Sequence, residues 1–100
     1  MEISTSIEGS KATITIKGKL TVQVAPELSS AVDGLPIAVC DLDLDLTDVT
    51  YIASAGLRAL MATDKLTVMR GGRMRLVCPR EEVMETLEMT GLSEVFAIER

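Results

Sequence analysis

The feature that most restricts the fold of this chain is a strict alternation of acidic and apolar residues, Asp41-Leu42-Asp43-Leu44-Asp45-Leu46. Side chains of a β-strand point to opposite faces in turn, so a period of two predicts a strand with one buried face. An apolar stretch that begins at Ile37 leads into the alternation. We therefore expect one strand over residues 37–46, at the centre of a sheet.

The acidic side chains of this run, Asp41, Asp43 and Asp45, raise the question of a cation site, because hard divalent ions prefer oxygen ligands. Alternate residues of a strand lie about 6.6 Å apart, so a flat face does not converge on one ion without loops that close the shell. The pattern instead indicates a solvated sheet face. No metal and no other cofactor is expected.

The first third of the chain predicts a β-hairpin and a helix. Residues 3–7 and 12–16 alternate between apolar and polar on either side of the turn Glu8-Gly9-Ser10-Lys11. A helix is expected from Ala25-Pro26-Glu27, since proline is tolerated in the first turn and glutamate complements the positive end. Leu28, Ala31 and Val32 would form its apolar face, and Gly34 would end it.

The second half alternates between helix and strand patterns. A long helix is expected up to Gly71-Gly72, followed by a strand at 74–78, a helix from Pro79-Arg80-Glu81-Glu82 to Gly91, a short helical turn at 92–95 and a strand at 96–98. The apolar faces of the two helices would be Leu57, Leu60, Met61 and Val68, and then Val83, Met84 and Leu87. A hairpin followed by such alternation predicts an α/β fold, with a mixed sheet, parallel later strands and helices packed mainly on one face.

Composition favours one small binding domain. One hundred residues with 47% hydrophobic content leave no room for a second core, so residues 1–100 are expected to form a single domain. The absence of histidine excludes Ser-His-Asp and Cys-His nucleophile pairs and the usual zinc ligands, so we do not expect an enzyme. A net charge of -5 argues against nucleic acid and favours a basic protein partner.

Cysteine usage and hydropathy predict the compartment. Cys40 and Cys78 form no C-x-x-C pair, so buried reduced thiols are expected. No charged leader precedes an apolar stretch at the start of the sequence, and no apolar run is long enough to span a bilayer. We therefore expect a cytoplasmic protein with no membrane association.

The segment Ala53-Ser54-Ala55-Gly56 is the candidate functional loop, because it follows a strand and opens the longest predicted helix. Three minimal side chains would let another molecule approach the backbone, and the first amides of a helix favour a nearby phosphate. The simpler interpretation from the residues alone is that Ser54 is an N-cap. A nucleotide cradle is disfavoured, because neither the Lys-Ser/Thr end of a P-loop nor three spaced glycines are present.

The chain resembles the STAS domains and, within them, the single-domain anti-sigma factor antagonists. The segments that carry the likeness occur in the family's order over nearly the whole chain. They are Gly18-Lys19-Leu20, Ala25-Pro26-Glu27-Leu28, Leu44-Asp45-Leu46-Thr47-Asp48-Val49, Tyr51-Ile52-Ala53-Ser54-Ala55-Gly56-Leu57, Gly71-Gly72-Arg73-Met74 and Leu87-Glu88-Met89-Thr90-Gly91-Leu92.

The resemblance implies partner switching. Such a domain binds an anti-sigma factor, often an ATP-binding serine kinase, and thereby frees a sigma factor for transcription. Phosphorylation of the serine that matches Ser54 would end the binding, and a metal-dependent serine phosphatase would restore it. The implied partner-binding residues are Thr21, Gln23, Val24, Ile52, Ala53, Ser54, Ala55, Gly56, Leu57 and Arg58.

Two positions depart from the family's usual pattern. The family commonly has an aspartate just before the serine, where this chain has Ala53, and a Gly-Glu-Leu-Asp turn where this chain has Gly18-Lys19-Leu20-Thr21. These neutral substitutions leave a second hypothesis open, in which the chain is a constitutive STAS subunit of a transporter or scaffold complex without a phosphorylation switch.

Overall fold

Five strands and three helices make up the computed structural model, which describes residues 2–100. The strands are β1 (Glu2–Glu8), β2 (Lys11–Leu20), β3 (Asp41–Ile52), β4 (Met74–Val77) and β5 (Ala97–Glu99). The helices are α1 (Val24–Asp33), α2 (Ser54–Met69) and α3 (Glu81–Met89), and a 3₁₀ turn at Leu92–Glu94 precedes β5. The element order agrees with the order that the sequence predicts.

The strands form one sheet in the order β1-β2-β3-β4-β5. β1 and β2 pair antiparallel as the predicted hairpin, and the remaining neighbours pair parallel. Each parallel pair is joined by a crossover helix, and because such crossovers are right-handed, all three helices lie on the same face of the sheet. The predicted fold class, a mixed sheet with helices mainly on one face, is confirmed.

The core lies between that face and the helices. Ile14, Leu44 and Leu76 stand at paired positions of three adjacent strands, and none has exposed surface. Leu28 of α1 and Leu87 of α3 are also buried. The leucines of the alternating run thus form the centre of the core, because β3 is the middle strand and its apolar face lies under the helices.

The predicted bounds of the central strand were wrong at both ends. β3 begins at Asp41 rather than Ile37, whose side chain is 99% exposed, and it continues to Ile52. Four of the residues between 48 and 52 pair with the end of β2 across two register shifts, and Gly18 takes a φ of 102° at the second shift. These bulges interrupt the simple alternation of the sequence, which is why its period predicted too short a strand.

The predicted apolar face of α2 is rotated from the observed one. Met61 and Val68 are 45% and 61% exposed, whereas Thr63 and Thr67 are buried. Both threonine hydroxyls donate to the carbonyl one turn earlier, so the burial leaves no unsatisfied polar atom in these side chains. Hydropathy alone treats threonine as polar and therefore missed this stripe.

A close approach fixes the end of α2 against the start of β3. Gly71 and Gly72 follow the helix as predicted, and a Cβ on Gly72 would overlap the carbonyl of Cys40. Arg70 holds the segment before β3 by donating to the carbonyls of Val32, Leu35, Pro36 and Val39. In the described part of the chain, none of the helices has the length and apolar character needed to cross a bilayer.

Candidate functional site

The candidate loop is the first turn of α2 rather than a loop, and Ser54 is not its cap. Ala53 is the N-cap, with an extended backbone at φ -93° and ψ 169° and no side-chain cap hydrogen bond. Its N–H donates to the carbonyl of Leu20 over 2.9 Å, and its own carbonyl accepts from the N–H of Leu57 over 3.0 Å. Ser54 is therefore the first helical residue, and its side chain is exposed.

Gly56 allows the first turn of α2 to pack closely against the end of β2. A Cβ placed on Gly56 would stand 2.5 Å from the carbonyl oxygen of Leu20, too close for any ordinary contact. The first turn of α2 thus sits directly on the last residue of β2, and Leu20 itself is fully buried. Within the small-residue segment, Gly56 is thus the residue that admits the chain's own backbone.

The predicted partner-binding residues divide into a core group and a surface group. Four of them, Val24, Ile52, Gly56 and Leu57, are buried in the free chain and lie beneath the surface that a partner would meet. The residues that reach the surface are Thr21, Gln23, Ala53, Ser54, Ala55 and Arg58. Val22 was not named individually but lies 72% exposed in the same turn, and we call these seven residues the Ser54 surface.

A shallow depression of about 290 Å³ continues the Ser54 surface along α2. It is lined by Arg58, Met61, Ala62 and Lys65. These residues follow Ser54 at spacings of three and four, so they lie on one exposed face of the helix. Of these residues, the sequence predicted Arg58 as a partner-binding residue and Met61 as part of the apolar face of the helix.

The charge around Ser54 differs from the charge of the whole chain. α1 has Glu27 in its first turn and α3 has Glu81 and Glu82, whereas the first turn of α2 has no acidic residue. The amides there carry the positive end of the helix dipole without a carboxylate to compensate it. The net charge of -5 therefore does not describe this surface.

The aspartates of β3 lie on the sheet face that the helices leave uncovered, and they do not form a solvated row. Asp43 is 7% exposed, contrary to the expectation of a solvated face. Its carboxylate accepts from Arg75 at 2.9 and 2.8 Å and pairs with Lys11 at 2.7 Å. Arg75 in turn pairs with Glu99 at 2.7 Å, so four strands are linked by one chain of charges.

This network lowers the pKa of Asp43 below its usual value. Hydrogen bonding from Arg75 is the main cause, partly opposed by burial and supported by Lys11. The pKa of Arg75 is raised by the same bonds. Within residues 2–100 no cluster of His, Cys, Asp or Glu has the arrangement of a metal site.

The cysteines do not match the expectation of buried thiols. Both are free, but Cys40 is only partly buried and Cys78 is exposed. β4 ends before Cys78, which takes a φ of 52° and donates its N–H to the carbonyl of Glu99 over 2.7 Å. Strand hydropathy placed Cys78 inside the sheet because it could not reveal this turn.

Comparisons with known proteins agree with this architecture. The STAS domain family model matches residues 2–100. An anti-sigma-B factor antagonist of Bacillus subtilis (strain 168) is 31% identical over 85 residues, which are 85% of this chain and 78% of that protein.

Two solved proteins share the fold. A candidate anti-sigma factor antagonist from Thermotoga maritima gives a TM-score of 0.85 at 23% identity, covering 98% of this chain and 86% of that one. The anti-sigma factor antagonist SpoIIAA in its unphosphorylated form gives 0.76 at 17% identity, covering 99% and 89%. The phosphorylated form of SpoIIAA from Bacillus gives 0.69 at 16% identity, covering 99% and 92%.

Proposed function

The chain belongs to the STAS domain family, and we propose that it acts as an anti-sigma factor antagonist switched by phosphorylation of Ser54. The unphosphorylated chain binds an anti-sigma factor that is also an ATP-binding serine kinase, and a sigma factor is released. The kinase transfers the γ-phosphoryl group of ATP to Ser54 Oγ, leaving ADP and the hydroxyl proton. The complex then separates, and a metal-dependent serine phosphatase hydrolyses the phosphate. The chain itself is a binding module and not a catalyst.

Two similarities support the antagonist role. The Bacillus subtilis relative, itself named an anti-sigma-B factor antagonist, is 31% identical over most of both chains. SpoIIAA, which has the same fold, exists in phosphorylated and unphosphorylated forms. Phosphorylation of this chain would therefore have a precedent among proteins of its fold.

The observation that carries the proposal is the exposure of Ser54 at the first position of α2, amid residues with small side chains. Ala53 and Ala55 are half-buried, so a partner can approach the hydroxyl closely. A phosphate would add about -1.5 to -2 charge and a bulky group at the centre of such a contact. Repulsion and desolvation would then weaken the complex.

The test begins with the partner. The tagged chain captures its anti-sigma factor from the source cells, and the purified pair is incubated with Mg-ATP and analysed by mass spectrometry. We expect one phosphate on Ser54, none on Ser54→Ala, and unchanged incorporation in Ser29→Ala, a control serine exposed on α1. Ser54→Asp should lower the affinity for the partner by at least about tenfold, as expected for a charge placed in a close-packed contact.

The second hypothesis, a constitutive STAS subunit, is favoured by Ala53 and Thr21, where family members commonly have acids. It predicts a transporter or scaffold protein as the stable partner, with an affinity that Ser54→Asp does not change. Phosphate on a serine other than Ser54 would also overturn the switch as proposed.

A further inference from the structure

Arg58 lies about one helical turn after Ser54 in α2. It follows four residues later in α2, its side chain is exposed, and within the described chain it takes part in none of the salt bridges. Residues at this spacing are neighbours on a helix surface, with Cβ atoms about 5–6 Å apart. A long guanidinium side chain at 58 therefore reaches the space above Ser54.

We propose that Arg58 is the internal counter-ion of a phosphate on Ser54, an inference that rests on the phosphorylation given in the proposed function. An acidic group that precedes a basic one by four residues is the more favourable order on a helix, because it also agrees with the helix dipole. Guanidinium groups bind phosphate oxygens through two parallel N–H donors. No carboxylate in the first turn of α2 competes for Arg58.

The pairing changes a second part of the binding surface. Arg58 also lines the depression beside Met61, Ala62 and Lys65. A guanidinium that is paired with a phosphate on Ser54 is no longer free to pair with a group bound in that depression. The partner then meets a new anion at Ser54 and loses a cation one turn along the helix, so one modification alters both ends of the contact.

Two lysines near α2 serve as a rival counter-ion and as a control for Arg58. Lys19 is exposed and precedes Leu20, whose carbonyl binds the N–H of Ala53, so it lies on the strand that meets the start of α2. Lys65 lines the same depression as Arg58 but lies eleven residues after Ser54, about 16 Å along the helix axis. Lys19 could replace Arg58 as the counter-ion, whereas Lys65 is too distant.

The experiment places phosphoserine at position 54 during translation and measures the second pKa of its phosphate by ³¹P NMR. A nearby cation favours the dianion and lowers this pKa from its usual value of about 6, so removal of the cation raises it. We expect Arg58→Gln to raise the phosphate pKa by about 0.2 to 0.4 unit, as an exposed pair at this spacing should. Arg58→Lys should restore part of the shift, and Lys65→Gln should leave the pKa unchanged.

Equal phosphate pKa values in the phosphorylated wild type and Arg58→Gln would overturn the inference. A larger rise in Lys19→Gln than in Arg58→Gln would also overturn it and assign the counter-ion to β2. The measurement needs neither kinase nor partner, so it is independent of the proposed function. Failure of a kinase to modify Ser54 would contradict the proposed switch without changing the titration result.

Discussion

Asp43 allows a quantitative test of the charge network on the uncovered sheet face. The change is Asp43→Asn, which keeps the size of the side chain but removes its charge and replaces one acceptor oxygen with a donor. Arg75 would lose a bidentate partner and Lys11 its only salt bridge among the described residues. Arg75 would keep its contact with Glu99, so the network is weakened at its centre but not abolished.

The expected loss of stability at pH 7 is about 1 to 2 kcal/mol. Hydrogen bonds to charged groups contribute about 1.5 to 3 kcal/mol when buried. The side chains of Lys11 and Arg75 are 44% and 42% exposed, so solvent screens their attraction and the expected loss lies at or somewhat below the lower end of that range. For a domain of about 100 residues this loss lowers Tm by roughly 5 to 10 °C.

The effect should also depend on pH in a defined direction. The folded-state pKa of Asp43 is lowered below its usual value of 3.8, so ionised Asp43 stabilises the fold above that value. This contribution is lost as the pH falls through 3.8 towards the folded-state pKa. The stability difference between wild type and Asp43→Asn should therefore be constant from pH 7 to about 5 and shrink below about pH 4.

Urea denaturation at several pH values measures this difference. Asp48→Asn is the matched control, because Asp48 lies exposed on the same strand and takes part in none of the salt bridges found within residues 2–100. Its effect should stay within about 0.5 kcal/mol. Equal losses of stability from the two substitutions at pH 7 would contradict a stabilising role of the Asp43 network. A loss from Asp43→Asn that persisted unchanged to pH 2.5 would contradict it as well.

Three further predictions concern packing and binding. Gly56→Ala should lower stability by about 1 to 2 kcal/mol, since overpacking against Leu20 outweighs the gain in helix propensity. Gly34→Ala, whose new Cβ would meet nothing closer than 3.4 Å, should be neutral or stabilising by thermal unfolding. Arg70→Met should cost about 1 to 3 kcal/mol by the same measurement, because several carbonyls lose their donor. Val22→Asp should reduce partner affinity in calorimetry by at least about tenfold with little change in Tm. Ile37→Asp, at a position that is also exposed but lies outside the Ser54 surface, should leave the affinity unchanged.

The sequence predicted elements wherever one periodicity applied along a whole segment. The hairpin, α3 with its buried Val83, Met84 and Leu87, and the glycine ends of the helices agree with the structure. β2 and α3 each bury one face by a simple pattern, whereas β1 pairs with β2 but stays largely exposed. The fold class followed, because a hairpin and alternating helices leave few permitted connections.

Local patterns failed where a residue's environment depends on a distant segment. Asp43 is buried because Lys11 and Arg75 reach it from neighbouring strands, and the alternation of β3 contains no sign of either. Thr63 and Thr67 enter the core because the helix backbone accepts their hydroxyls. Such contacts are tertiary, so hydropathy could not place these residues.

The structure gives the small-residue segment a second role, which is internal packing. Gly56 is needed where α2 packs against the carbonyl of Leu20. Ala53 is fixed at the same place, because its N–H donates to that carbonyl. Ser54 is held between these two anchored residues, at the start of a helix that is packed on the core. A hydroxyl presented from such a rigid point costs a partner little ordering entropy, and a phosphate placed there cannot move aside. The packing of Gly56 therefore supports the proposed switch by fixing the backbone that presents Ser54.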